Sequence, residues 1–454
     1  MTTALRRRFG MWPAIAMIVT EVMGGGIFLT PAGMARTLGS TAWVLGVWAL
    51  VGLLSVAGAL CYAELGSRFP EAGGGYVFLR EAFGERCAFV YGWMSLLVMD
   101  PGLTAALGVG LAQYLLILVG GSAVWVPAVA IVCIIAASAV TMLGVHSSAR
   151  LLRWAAAAKL ATIGLLLLIV LVRGSGGASP GVAAGALAAP SMPVMAGALM
   201  GAFFAFGGWW DLGKMSEEIV DPRRTLPVAL VGGIALVTIV YAVVSSVFMH
   251  AMRGITATTD EALVASLGAA LFGHGADRLL AAAVVIAVAG SLTAVLLGAP
   301  RVYLAMARSG VFPRRLVHFD AHRQSAPLAT LIQVALASLL VLLGSFEQIL
   351  GYFIPAAVFF LGLSATAILI LPRPPAEADV FRAPWHPLPI IVFLVLVVAT
   401  VALFALGRPV QTLIGAAVIA LGIPMSFVLI KPTRRVATNS AVAPFNPLDT
   451  EGIS

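Results

Sequence analysis

Charge is scarce in this sequence: only 10% of its 454 residues are Asp, Glu, Lys or Arg, against about 25% in ordinary soluble domains. Hydrophobic residues make up 61%, and mean hydropathy is +1.04, so a soluble globular protein is excluded and a polytopic membrane protein is expected. Cysteine is nearly absent. Cys61, Cys87 and Cys133 are odd in number and embedded in apolar or juxtamembrane sequence, which excludes a disulfide framework and offers no metal motif. The 6 histidines stand singly, with no Ser/His/Asp cluster, metal-spaced set or phosphate loop. No catalytic residue, metal or cofactor is therefore expected, and an enzyme is disfavoured. The net charge of +8 implies no nucleic-acid partner, because the cations lie in short loops between apolar runs. The first apolar stretch is too long for a cleavable signal and lacks a small-residue cleavage site.

Apolar runs are what is abundant. Twelve spans are read, over 11–37, 41–67, 84–119, 125–144, 152–173, 194–219, 226–250, 276–307, 327–344, 347–371, 388–406 and 409–430, each with at least the ~17 residues needed to cross a bilayer. Most of the 27 lysines and arginines fall in alternate loops, among them Arg6–Arg8, Arg80, Arg86, Arg150, Arg223, Arg308, Arg314 and Lys431. Arg36, Arg173, Arg253, Arg278 and Arg408 occupy the others. That asymmetry puts both termini in the cytoplasm of a multi-pass plasma (inner) membrane protein. Residues Glu64–Tyr76 read as an amphipathic cytoplasmic connection, Gly174–Ser191 as an external linker, Thr256–Phe272 as a short external helix, and the polar tail after Lys431 as disordered.

Two of the spans carry glycine clusters at mid-depth. The first holds Glu21-Val22-Met23-Gly24-Gly25-Gly26-Ile27-Phe28, and the sixth holds Phe204-Ala205-Phe206-Gly207-Gly208-Trp209-Trp210. Each glycine costs about 1 kcal/mol relative to alanine inside a helix, so α-helix is easily abandoned there. Unwound backbone at membrane depth survives only where protein or a cavity surrounds it. A matched pair of interruptions points to a transporter's substrate site. The competing reading for the triplet is close helix packing, but packing motifs space their small residues by a turn and these are contiguous.

These motifs, with Tyr62-Ala63-Glu64-Leu65-Gly66, Phe69-Pro70, Gly73-Gly74-Gly75-Tyr76, Glu217-Glu218 and Asp221-Pro222-Arg223, resemble the amino acid–polyamine–organocation superfamily. The nearest likeness is to its L-type amino acid transporter branch and bacterial relatives. The resemblance implies an all-α fold with a five-plus-five inverted repeat and discontinuous helices 1 and 6. The parts are a cytoplasmic N-terminus (1–10), a first repeat (11–173), an external linker (174–193), a second repeat (194–371), two appended spans (372–430) and a cytoplasmic tail (431–454). It also implies secondary transport of amino acids by alternating access, sodium-independent, as an exchanger or a proton-coupled symporter.

A free amino acid presents a carboxylate and an ammonium on one carbon, and a broken helix exposes backbone N–H groups at one new end and C=O groups at the other. Gly24, Gly25 and Gly26 let a carboxylate approach closely, with no Cβ in the way. The resemblance places the carboxylate on the amides of Gly25 and Gly26, the ammonium on carbonyls of Val22, Phe204 and Gly207, and Phe204 over the substrate as a gate. Gly208 belongs to the same substrate-binding set and Trp209 to the coupling and gating set. Gly25 departs from the family's usual hydroxyl-bearing residue.

Charges within spans are functional by default. Lys159 resembles the built-in cation of sodium-independent relatives, bridging helix 1 to Ser291 of helix 8; the competing reading is a lysine snorkelling to the surface. Asp211 and Lys214 stand i, i+3 and are expected to pair. Glu21 has no partner near in sequence, and Lys159 or Lys214 is available to neutralise it. Alternatively Glu21 or Asp100 carries a coupling proton, since a carboxyl withdrawn from water binds its proton more firmly. Those two acids also motivate the alternative of a polyamine or cationic amino acid carrier. Glu64, Glu217 and Glu218 are expected at cytoplasmic helix ends, in gate ion pairs or solvated. The partners implied are an amino acid and the lipid bilayer, with protons added in the symporter alternative. With no cysteine near the external end of span 4, no obligate protein partner is implied.

Overall fold

Long apolar runs with few breakers fold here as helices, and what interrupts them is glycine or proline. A computed structural model describes residues 7, 9–24, 26–143, 154–164, 189–251, 276–312, 326–375 and 377–430. Gly25, most of the 174–191 linker, the 256–272 segment, the later part of the fifth span and the tail after 431 lie outside the described residues. Among those described, the structure is all helical apart from a single parallel bridge between Phe9 and Ile219.

The first span is in pieces: α1 (Met11–Val22), α2 (Gly26–Leu29) and α3 (Pro31–Leu38). Then come α4 (Thr41–Arg68), α5 (Gly75–Phe83), α6 (Glu85–Met94), α7 (Asp100–Val119), α8 (Val126–Met142) and α9 (154–164). The sixth span is also interrupted, as α10 (Met192–Phe206) and α11 (Asp211–Lys214). The remainder is α12 (Pro222–Pro227), α13 (Gly233–Ala251), α14 (Ala276–Gly298), α15 (Pro300–Arg308), α16 (Pro327–Leu343), α17 (Phe346–Ile370), α18 (Leu388–Gly407) and α19 (Pro409–Leu429). Eight helices among the described residues are long and apolar enough to cross a membrane, and α1, α10 and α16 are shorter apolar helices.

The third span is not the uniform helix expected. Pro101 has no N–H for Leu97, and the helix passes this point through a π turn, Ser95–Met99, closed by Asp100 N–H to the Ser95 carbonyl. That turn sets Asp100 at the head of α7, facing inward. The connection after α4 also gains a regular element, α5, whose Gly75–Leu79 stretch is buried.

Polarity is arranged inside out. Glu21, Asp100, Lys159, Asp211, Lys214 and Arg301 are all buried, while Ile135 of α8, Leu342 of α16, Val398 of α18 and Val428 of α19 are exposed. An apolar outer face over a charged interior is what lipid contact selects. α1 lies against α13 and α14, α14 runs along α7, and α10 packs on α3, α4 and α18. The two interrupted helices are therefore held side by side in the centre of the bundle.

Candidate functional site

The two interruptions meet. A Cβ added to Gly26 would lie 2.0 Å from the Ala205 Cα, so the start of α2 crosses the last turn of α10 at a distance only glycine permits. On the other strand of the crossing Gly208 has φ +101° and its Cα faces Glu21, where a Cβ would come within 2.4 Å of the Glu21 Cγ. Any L side chain there meets both backbone strain and a clash. Gly24 lies against Ser291 of α14.

Around this crossing lies a cavity of about 10 Å³ lined by Glu21, Val22, Gly26, Leu103, Leu107, Phe204, Gly207 and Val295, roughly the space of one water. Admission of anything larger requires α1 and α10 to move apart. A second, open cavity of about 340 Å³ lies beyond it, with Thr30, Met34, Gly201, Phe346, Glu347 and Arg408 in its wall. Phe204 and Phe346 separate the two, edge to face with ring centroids 5.3 Å apart. The capping box at the start of α17, in which the Ser345 N–H donates to Gln348 Oε1 at 2.9 Å and the Gln348 N–H to Ser345 Oγ at 3.4 Å, fixes Phe346 in place.

The opposite end is closed more thickly. Arg301 pairs with Glu218 at 3.0 Å, Arg308 with Glu217 at 2.6 Å and Arg80 with Glu71 at 2.9 Å. The Phe9 N–H donates to the Glu218 carbonyl at 3.0 Å and the Val220 N–H to the Phe9 carbonyl at 2.8 Å, laying the N-terminal segment across the end of the sixth span. The Gly73 N–H donates to the Lys214 carbonyl at 3.0 Å, which ties the Gly73–Gly75 motif to the same place. Glu217 and Glu218 are thus in ion pairs. Glu64 accepts from the Ala383 N–H at 2.9 Å and lies 3.7 Å from Arg68.

The terminated ends are held by specific donors. Lys159, fully buried on α9, donates to the Thr20 carbonyl and, at 2.7 Å, to Ser291 Oγ, which itself donates to the Thr20 carbonyl at 2.9 Å. An ammonium therefore joins α1 to α14, and Lys159 does not snorkel. The Tyr241 hydroxyl of α13 lies 2.6 Å from the Val22 carbonyl and 2.8 Å from the Ala205 carbonyl, so its one hydrogen serves the ends of both interrupted helices. The Phe204 carbonyl accepts from the Gly207 N–H at 3.0 Å. Two of the three carbonyls expected to be bare thus already hold a donor, each keeping its second lone pair. Tyr241→Phe is expected to cost about 1 kcal/mol, read as a lower melting temperature in detergent; an unchanged melting curve would refute the bridge.

The charged residues include the local pair expected and extend it across the core. Lys214 does meet Asp211 at 2.8 Å, but it also meets Asp100 at 2.8 Å across the core. The other oxygen of Asp100 accepts from Ser95 Oγ at 2.5 Å and from the Tyr303 hydroxyl at 2.8 Å. Neither lysine neutralises Glu21 by direct contact, and both of its carboxyl oxygens lack a hydrogen-bond donor among the described residues. Trp209 does not line the cavity; it packs edge-on against Tyr62 and Trp210, with centroids 5.2 and 5.6 Å away. Gly25, the remaining expected substrate contact, is outside the described residues. Sequence reasoning missed Phe346, Tyr241, Ser95, Tyr303 and Arg301. The only sequence signal for them was a polar or charged residue within an apolar span, and Phe346 gave none.

The sequence resembles those of known proteins. The family described as amino acid permease matches residues 9–430. The chain is 28% identical to the mouse large neutral amino acids transporter small subunit 2 over 441 residues, covering 93% of this chain and 81% of the relative. It is 24% identical to the serine/threonine exchanger SteT of Bacillus subtilis (strain 168) over 387 residues, covering 84% and 87%. It is 27% identical to the rabbit b(0,+)-type amino acid transporter 1 over 378 residues, covering 82% and 77%.

Proposed function

Because the chain belongs to the amino acid permease family, a family of transporters and not of enzymes, we propose that it carries a free amino acid across the membrane by alternating access, as an exchanger or a proton-coupled symporter. The observation that carries this reading is the crossing of Gly26 over Ala205 beside the cavity. There the N–H groups that begin α2 and the carbonyls that end α10 flank one small volume, which suits a carboxylate and an ammonium on one carbon. Leu103, Leu107, Val295 and Phe204 make the rest of the wall apolar, which favours a neutral side chain.

The cationic or polyamine alternative rested on Glu21 and Asp100. Asp100 is already matched by Lys214, Ser95 and Tyr303, so its support is reduced to Glu21. Sodium independence is supported by Lys159, whose ammonium itself joins the first and eighth spans, as a bound coupling cation would. The inverted-repeat assignment is supported by two interrupted spans that meet at Gly26 and Ala205. The cation-rich end holding Arg80, Arg301 and Arg308 is assigned to the cytoplasm and the Phe346 end to the outside. The chain is taken to work without a disulfide-linked partner, because Cys133, the cysteine of the fourth span, lies in mid-α8 and not at its end.

A substrate panel in proteoliposomes tests the proposal. Labelled alanine or leucine uptake should saturate, persist when choline replaces sodium, and be outcompeted by neutral amino acids but not by arginine or putrescine. Strong competition by the last two would instead favour the cationic reading. Phe346→Ala removes an aromatic pair worth about 0.5–1.5 kcal/mol, so KM is expected to rise about 2- to 10-fold with little change in the amount of protein in the membrane. An unchanged KM would deny Phe346 its part in the gate.

A further inference from the structure

Glu21 is the one charged residue in the wall of the central cavity. It is only 5% exposed, and its two carboxyl oxygens receive no hydrogen bond from the described residues. A buried acceptor without a donor is costly, and a buried acid more so. Both buried lysines nearby are bonded elsewhere, Lys159 to Thr20 and Ser291, and Lys214 to Asp100 and Asp211. Around the crossing, three buried acids of the described residues, Glu21, Asp100 and Asp211, thus stand against two ammonium groups. The acid left over is Glu21, and it is the one that reaches the cavity.

Its place in the wall says which part of a substrate it meets. A Cβ on Gly208 would come 3.0 Å from the Glu21 Cδ and 3.3 Å from its Oε1, so the carboxyl group lies over the break in the sixth span. Its neighbour in sequence, Val22, ends α1. Glu21 is therefore on the side where the two helices terminate, whereas the apolar wall of Leu103, Leu107 and Val295 comes from α7 and α14. An amino acid with its carboxylate at the start of α2 has its ammonium one carbon away, at that same end, and its side chain is left for the apolar wall. The backbone acceptors there are half used: the Val22 carbonyl has the Tyr241 hydroxyl and the Phe204 carbonyl has the Gly207 N–H. A primary ammonium carries three donors, and the remaining lone pairs of these two carbonyls with one carboxyl oxygen of Glu21 make three acceptors. We infer that Glu21 binds the α-ammonium of the substrate and makes a free amino group a condition of transport. The same carboxylate excludes acids that lack the ammonium, because they bring a second negative charge against it. This rests on the carrier reading given above and adds to it a side chain that selects the substrate.

The test uses the full chain in proteoliposomes and labelled L-leucine, with 4-methylpentanoate, which is leucine without its ammonium, as competitor. L-alanine with propanoate is the corresponding smaller pair. In wild type, uptake should saturate and about a hundredfold excess of the deaminated acid should not compete. Glu21→Gln keeps the shape and removes the charge. Its KM for the amino acid should rise about tenfold or more, with kcat within about twofold. The deaminated acid should begin to compete, so that the preference for the amino acid over it falls at least as far. A side chain that only held α1 and α10 in place would weaken both ligands alike and leave that preference unmoved. Glu21→Asp keeps the charge but withdraws it by one methylene, so KM should rise while the deaminated acid stays excluded; this arm reads the inference if the glutamine variant does not reach the membrane. An unchanged KM or an unchanged preference in Glu21→Gln would overturn the inference and leave the carrier reading standing, as would competition by the deaminated acid in Glu21→Asp. Absence of saturable uptake of both amino acids by wild type would remove the carrier reading itself.

Discussion

Replacing Lys159 with alanine will collapse transport by more than tenfold while the protein still reaches the membrane. The ammonium is fully buried and makes the link between the Thr20 carbonyl, at the end of α1, and Ser291 of α14. A hydrogen bond to a charged group is worth about 1.5–3 kcal/mol, and Lys159 makes two of them. Their loss leaves the Thr20 carbonyl to Ser291 alone, so this part of α1 can drift from the position that defines the cavity. The measurement is uptake per molecule of membrane-inserted protein. Wild-type uptake by Lys159→Ala would show that the ammonium is not part of the transport machinery.

Lys214→Met will act on stability more than on any single kinetic constant. Lys214 is shared by two carboxylates, Asp100 and Asp211, each 2.8 Å away and each almost wholly enclosed. Removing the cation leaves both acids buried without it, a change that costs about 3–5 kcal/mol. The expected readout is a large fall in unfolding temperature in detergent. Adding Asp100→Asn should recover part of the loss, because the two changes act on one network and are not additive. A fall equivalent to under ~1 kcal/mol would mean that the cluster is more hydrated than its enclosure implies.

Much of this was legible in the sequence wherever the signal was local. Contiguous glycines announced the break after Val22 and the break after Phe206, because the penalty of glycine in a helix is a property of the residue itself. The i, i+3 spacing announced Asp211 with Lys214. The reach of Lys159 to the first and eighth spans came from a family likeness, and the structure has that contact. What escaped was contact between residues distant in the chain. Nothing in the sequence near Asp100 says that Lys214 turns toward it, since 114 positions separate them. Nothing near Tyr241 says that its hydroxyl closes over Val22 and Ala205. The π turn before Asp100 was signalled by Pro101 alone, and a proline inside an apolar run predicts a disturbance without its geometry. Phe346 sits at an ordinary helix start, and only the opposing Phe204 gives it a role. Glu21 is the instructive case: its isolation in sequence suggested a lysine partner, yet the lysines are drawn to carbonyls, a hydroxyl and other acids, leaving its carboxyl oxygens without a donor among the described residues.

The central claim is that the backbone ends exposed where α1 and α10 break grip both charges of one zwitterion, and trans-stimulated uptake of a labelled neutral amino acid into proteoliposomes tests it most directly. The account predicts that uptake is accelerated by unlabelled amino acid inside and blocked by free amino acids outside, while the methyl ester and the N-acetyl derivative, each lacking one charge, fail to compete. Competition by either derivative as strong as by the parent amino acid would contradict it.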